Sequence, residues 1–207
     1  MVHSSVAAAE TPAEVRLGVV GCGGRGTGAI GNSLEINSGV KLVAVADLYA
    51  SKCAGLVKTM AKMHPEKVAV EEASMHAGLD SYRRVLDDPQ VDVVLLATSP
   101  GFRPLTVQAA VEAGKHVFAE KPVCVDAAGY RSCLEAHDAA VAKGTAIVTG
   151  TQYRRQVNYI GAVEQIRTGA IGDIVSATTR YCSAGIWYRP RQAGMSDAEY
   201  QLNNWMH

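Results

Sequence analysis

Short apolar runs alternate with helical patterns along almost the whole chain, and this alternation constrains the fold more than any other feature. Val15–Val20 and Val40–Ala46 read as strands, and 91–98 reads as the strongest strand, apolar on both faces. His116–Ala119 and Thr145–Thr149 complete the set. Between them, helices are predicted over Ala29–Ile36, Ser51–Met63, Ser81–Leu86 and Pro104–Ala113. Another is predicted from the N-cap Asp126 to about Lys143, with Gly144 closing it. Pro65 ends the second of these helices, and Lys67–Ala77 reads as a polar insertion without assigned structure. Continuous apolar strands separated by helices mean a parallel sheet covered on both faces. The predicted fold class is therefore α/β.

Gly21-Cys22-Gly23-Gly24-Arg25-Gly26 fits G-x-G-x-x-G between the first strand and the first helix. Asp47 ends the next strand, about 20 positions after the last motif glycine, as a dinucleotide fingerprint requires. Gly21 would allow the tight turn, Gly23 the approach of the pyrophosphate, and Gly26 helix–strand packing. The helix N-terminus offers unpaired N–H groups and a positive dipole end to phosphate. Asp47 would accept from the adenosine ribose hydroxyls and repel a 2′-phosphate, which puts NAD ahead of NADP. Arg25 pulls the other way, because an arginine there neutralises phosphate. A methyltransferase, or a glycine turn without ligand, uses the same elements. Glu120-Lys121-Pro122 follows the strand His116–Ala119 at the edge where parallel sheets bind ligands. A cis peptide at Pro122 would fix where Lys121 points.

The remaining composition narrows the function classes. Lys+Arg and Asp+Glu are both 20, so the net charge is zero and a general grip on nucleic acid or anionic membrane is not expected. There is no 18-residue apolar stretch to cross a membrane. The five cysteines form no CxxC pair, which points to free thiols in a cytoplasmic protein rather than to a disulfide framework or a metal site. Residues 1–13 read as a flexible tail. Ala7-Ala8-Ala9 leaves open the remnant of an export signal. A composition shift near residue 150 marks a second domain over 151–207, after a first over 14–150. Lysine stops at Lys143, while arginine continues and seven of the twelve aromatics follow. Arginine forks and aromatic faces suit a sugar-like ligand. Tyr153 and Arg154 are candidate substrate contacts. A strand is predicted over Ile174–Cys182, with few partners and therefore a tendency to pair with another copy.

From Glu14 onward the chain resembles the glucose–fructose oxidoreductase / inositol dehydrogenase / MocA-type (Gfo/Idh/MocA) oxidoreductases. The resemblance rests on Gly21–Gly26, Asp47, Val93, Leu95, Ala97 and Thr98. It continues through Ala113-Gly114-Lys115-His116-Val117, Glu120-Lys121-Pro122 and Gly169-Ala170-Ile171-Gly172-Asp173-Ile174. With Trp187-Tyr188-Arg189-Pro190-Arg191 it is most like the subgroup common in planctomycete-type bacteria.

The resemblance implies a Rossmann dinucleotide-binding domain followed by the opening of an α+β open-sheet domain, and a homo-oligomer. It implies hydride transfer between NAD and a sugar, cyclitol or related polyol. Glu120 would contact the nicotinamide ribose, and Lys121 the reacting hydroxyl. The loop from Thr98 through Ser99 to Arg103 would cover the nicotinamide. Where the family carries Pro-Asn and a later His, this chain has Ser99-Pro100 and Arg103. The family's aspartate and histidine lie in a later helix and match no residue here, so relative to the family the chain reads as truncated. His207 does not match that position, and His64, His76, His116 and His137 read as surface or core histidines. Two alternatives stay open: a relative that retains NAD to cleave glycosidic bonds, and a non-catalytic NAD-binding module.

Overall fold

The computed structural model describes residues 14–206. The expected tail at 1–13, with Ala7-Ala8-Ala9, and His207 lie outside the described residues. The chain divides into two compact units, meeting at Gly150/Thr151.

The first unit runs β1 (Val15–Val20), α1 (Gly24–Ile36), β2 (Val40–Asp47), α2 (Ala50–Met63), β3 (Met75–Ala77) and α3 (Ser81–Asp87). It continues with β4 (Val93–Leu96), α4 (Arg103–Glu112), β5 (His116–Ala119), α5 (Ala127–Lys143) and β6 (Ile147–Thr149). The six strands form one parallel sheet in the order β3-β2-β1-β4-β5-β6. Strand order reverses between β1 and β4, which makes that edge the switch point of a doubly wound fold.

Two apolar layers sandwich the sheet. One joins Leu17, Val19, Leu42, Val45 and Leu95 to Ile30 and Leu34 of α1 and Leu56 and Met60 of α2. The other joins Val20, Val94, Leu96 and Val117 to α3, α4 and α5 through Val85, Val107, Val111 and Ala136. Successive residues such as Val94, Leu95 and Leu96 alternate between the layers. This is why those strands read as continuous apolar runs.

The caps of α5 are as the residue types dictate. The Asp126 carboxylate accepts from the Gly129 N–H at 2.6 Å, and Gly144 takes a left-handed φ of 71°. Helix α1 begins five residues earlier than its apolar periodicity indicates, because the glycine-rich segment is itself helical from Gly24. The strand expected over 91–98 is trimmed to Val93–Leu96. The polar insertion contains β3, whose three residues pair with Val45–Asp47 at the sheet edge. In the same segment, Lys67 Nζ donates to the carbonyls of Leu34 and Asn37 and so closes the end of α1. Lys115 is nearly buried and donates to the carbonyls of Asp88 and Val91, both at 2.8 Å. It therefore braces the amino-terminal ends of β4 and β5.

At the same end of the sheet the Arg16 guanidinium grips Asp92 with two bonds, at 3.0 and 2.8 Å, and the Arg16 N–H donates to the same carboxylate at 2.8 Å. These bonds hold the Asp92 pKa below the usual carboxylate value. A depressed folded-state pKa stabilises the fold fully above the unfolded value and is lost as pH falls through the folded one. Asp92→Asn is therefore expected to flatten the loss of stability between about pH 6 and about pH 3. Urea unfolding midpoints at the two pH values check this, and equal acid sensitivity in wild type and variant would contradict it.

The second unit carries a short turn at Gln152–Arg155, α6 (Val157–Arg167) and α7 (Asp197–Asn203). A Ser196–Glu199 capping box starts α7. The strand expected over Ile174–Cys182 is not formed, and no strand occurs among the described residues of this unit. A strand exists by its ladder. These residues have no ladder partner here and are exposed, Val175 at 94%. The α+β sheet implied by the resemblance is likewise not present among the described residues. Two of the arginines that follow residue 150 stack on aromatic rings of the same unit. Arg189 lies over the Trp187 ring at 5.1 Å, and Arg191 over the Tyr200 ring at 4.8 Å. Among the described residues, no helix is long and apolar enough to cross a membrane.

Candidate functional site

Parallel register brings the carboxyl ends of β1, β2, β4 and β5 to one edge of the sheet, and the chemistry-bearing residues follow those ends directly. The turn after β1 needs its glycines for different reasons. Gly21 has φ 98°, and a Cβ there would meet the backbone of Ala97 and Thr98 at 2.7 Å. A Cβ on Gly26 would lie 1.8 Å from the Gly21 carbonyl oxygen. Gly23 and Gly24 are different: a Cβ on either would meet nothing within 4 Å. They face open space at the start of α1.

The N-cap of α1 is Gly23, with no side-chain cap and no acidic residue in the first turn. The helix therefore keeps its positive end for a ligand. Asp47 stands beside this turn. One carboxylate oxygen accepts from the Cys22 N–H at 2.7 Å and the other from the Tyr49 N–H at 3.1 Å. Each oxygen keeps a further lone pair, so Asp47 can shape the glycine turn and still accept from a diol. The thiols of Cys22 and Cys53 lie 3.9 Å apart under the turn, and Cys22 also donates to the Ala46 carbonyl. All five cysteines are free.

The turns after β4 and β5 stand at the same sheet edge. Glu120 is 3% exposed. Its Oε2 accepts from the Lys121 N–H at 3.2 Å, and its Oε1 forms an ion pair with Arg25 Nη2 at 2.5 Å. Arg25, expected to neutralise a phosphate, thus reaches across the glycine turn to a carboxylate. Lys121 is exposed, and no hydrogen bond or ion pair engages its ammonium among the described residues. The Lys121–Pro122 peptide is cis. The Thr98 hydroxyl is buried without a partner among the described residues, and Ser99 begins the turn leading into α4.

Arg103, expected in the loop over the nicotinamide, engages the backbone of the two turns there. It is 2% exposed, and its guanidinium donates to the carbonyls of Thr98 and Pro122. Gly150 is a site residue that the sequence reading missed. A Cβ there would come within 2.7 Å of Glu120 Oε1, so any other residue would push that carboxylate from its present place. Tyr153 and Arg154 lie on the first turn of the second unit, where the Tyr153 ring packs 5.5 Å from that of Tyr159.

The open glycine turn, the uncapped helix end, the half-buried aspartate and the buried glutamate together fit a dinucleotide. Residues 15–150 match the model of the Gfo/Idh/MocA oxidoreductase family, described as having an NAD-binding Rossmann fold. The chain belongs to this family.

Among its relatives, an inositol 2-dehydrogenase of Acidothermus cellulolyticus is 31% identical over 163 residues, which is 78% of this chain and 43% of that protein. A glycosyl hydrolase family 109 protein of a Shewanella strain is 24% identical over 194 residues, covering 92% of this chain and 39% of that one. The crystal structure of a Lactobacillus casei myo-inositol dehydrogenase with NAD(H) and myo-inositol superposes with a TM-score of 0.64 at 24% identity. That match covers 77% of this chain and 43% of the other. The chain therefore spans less than half the length of these relatives.

Proposed function

We propose that this Gfo/Idh/MocA chain carries the cofactor half of an NAD-dependent oxidoreductase acting on a sugar, cyclitol or related polyol hydroxyl. The observation that carries the reading is the meeting at one sheet edge of the open Gly23–Gly24 turn, Asp47, and the Glu120–Lys121 pair. Bound NAD supplies a hydride acceptor for the carbinol carbon. Gly21, Gly23, Gly24 and Gly26 shape the turn on which the pyrophosphate rests, at the N-terminus of α1. Asp47 accepts from the adenosine ribose. Thr98 and Ser99 border the nicotinamide, and Glu120 accepts from its ribose when Arg25 yields. Lys121 donates to the oxygen of the reacting hydroxyl and stabilises the charge that grows there as hydride leaves. We assign the hydroxyl proton to no residue of this chain. Tyr153 and Arg154 open the substrate domain that begins at residue 151, and the whole protein is a cytoplasmic homo-oligomer.

A polyol and cyclitol panel, followed by NADH absorbance, tests the reaction. Turnover with NADH accumulation supports it. The similarity to a glycosyl hydrolase family 109 protein over 92% of the chain favours one second reading, glycoside cleavage on retained NAD. Released sugar without NADH accumulation would select it.

NAD preference over NADP follows from Asp47. Asp47→Ala is expected to raise the NADH dissociation constant about 10–100-fold, the worth of charge-assisted hydrogen bonds, and NADPH affinity is expected to fall much less. Calorimetric titration of both cofactors measures this, and an unchanged NADH/NADPH ratio would contradict it.

A further inference from the structure

Arg103 carries a charge into a place where packing alone needs none. It opens α4, yet it is 2% exposed. Burial draws its pKa below the ordinary guanidinium value, against the opposing pull of Glu120. An aliphatic side chain would fill the same space without desolvating a cation. The return lies in what the planar fork holds. Nη2 donates to the Thr98 carbonyl in the turn after β4, and Nη1 donates to the Pro122 carbonyl in the turn after β5. A lysine, with one compact ammonium, does not reproduce that fork.

The two turns tied together are those that present Thr98 on one side and Glu120 and Lys121 on the other. Glu120 is itself held by the Lys121 N–H and by Arg25. The adenine side is separate: Asp47 bonds the backbone of Cys22 and Tyr49, and no hydrogen bond reaches it from Arg103.

We propose that Arg103 is a positioning residue for the nicotinamide half of the site, tying the Thr98 turn to the Lys121–Pro122 turn so that Glu120 and Lys121 meet the cofactor in register. The proposal rests on the dinucleotide reading given above. Its consequence is a selective effect: without the fork, contacts to the nicotinamide ribose loosen while contacts to the adenosine diphosphate stay.

Calorimetric titration of NADH and of ADP into wild type, Arg103→Ala and Arg103→Lys tests it, with thermal midpoints recorded alongside. Arg103→Ala is expected to weaken NADH about tenfold or more, with ADP held within about twofold, and Arg103→Lys is expected to fall between variant and wild type. A residue that only completes the packing of α4 would change both ligands together. Equal losses of NADH and ADP, or no loss of either, would overturn the proposal. If Arg103→Ala does not fold, Arg103→Lys decides: a selective NADH loss of about threefold or more supports the proposal, and wild-type affinity for both ligands overturns it. Wild type binding neither NADH nor ADP would instead overturn the dinucleotide reading itself, which keeps the two failures distinct.

Discussion

Gly26→Ala is expected to cost more stability than any other single methyl added to the first unit. The new carbon would sit 1.8 Å from the Gly21 carbonyl oxygen, 3.0 Å from its carbon and 3.4 Å from Ala97 Cβ. The first two are backbone atoms, so no side-chain rotation relieves the overlap. Either α1 moves off β1 or the glycine turn opens. Moving α1 pulls Ile30 and Leu34, both fully buried, away from Leu17 and Val19. Ordinary overpacking costs about 1–3 kcal/mol, and a backbone collision of this depth is expected at or above the top of that range. Against a typical total of about 5–15 kcal/mol, much of the margin goes.

Gly28→Ala is the control. It lies two residues further along α1 with nothing within 4 Å, and there alanine is expected to stabilise by about 0.4–1 kcal/mol. Urea denaturation of both variants gives the comparison. Gly26→Ala as stable as Gly28→Ala would show that α1 does not approach β1 as described.

Lys121→Met is expected to slow turnover about 10²–10³-fold on whichever polyol the wild type oxidises, while NADH affinity and thermal midpoint stay near wild type. The side chain is exposed, and its ammonium has no partner among the described residues. Its removal therefore takes nothing from the fold. Glu120 keeps its own bond from the Lys121 backbone N–H, which methionine also supplies. A donor that meets the reacting oxygen only as charge develops affects kcat rather than cofactor binding. Steady-state kinetics with NADH formation as the readout measures this. An unchanged kcat would remove Lys121 from the reaction, and a parallel loss of NADH binding would make it a cofactor residue only.

Features written in local patterns were legible in the sequence. The apolar run of β1, the glycine turn and Asp47 at the end of β2 each depend on neighbours within a few residues. So do the Asp126 and Gly144 caps of α5. Features set by distant parts of the chain were not. Strand β3 is three residues long and exists because β2 offers it an edge, so no apolar run announces it. The family resemblance puts Arg103 in the loop over the nicotinamide, and nothing local marks it as buried. Its burial is decided by the Pro122 carbonyl, 19 residues away. No local pattern marks Gly150, because the Glu120 carboxylate that a Cβ there would meet follows a different strand. Arg25 sits in a phosphate motif but finds its partner on β5's far turn. The apolar alternation of 174–182 suggested a strand, yet periodicity cannot provide the neighbour that a strand requires.

The central claim is that the edge formed by the Gly21–Gly26 turn, Asp47 and Glu120 binds a nicotinamide dinucleotide. Titrating the folded protein with NADH and following cofactor fluorescence tests this most directly. The account predicts saturable enhancement, weaker binding of NADPH, and weaker NADH binding in Asp47→Ala. Folded protein that gives no saturable signal up to millimolar NADH would contradict it.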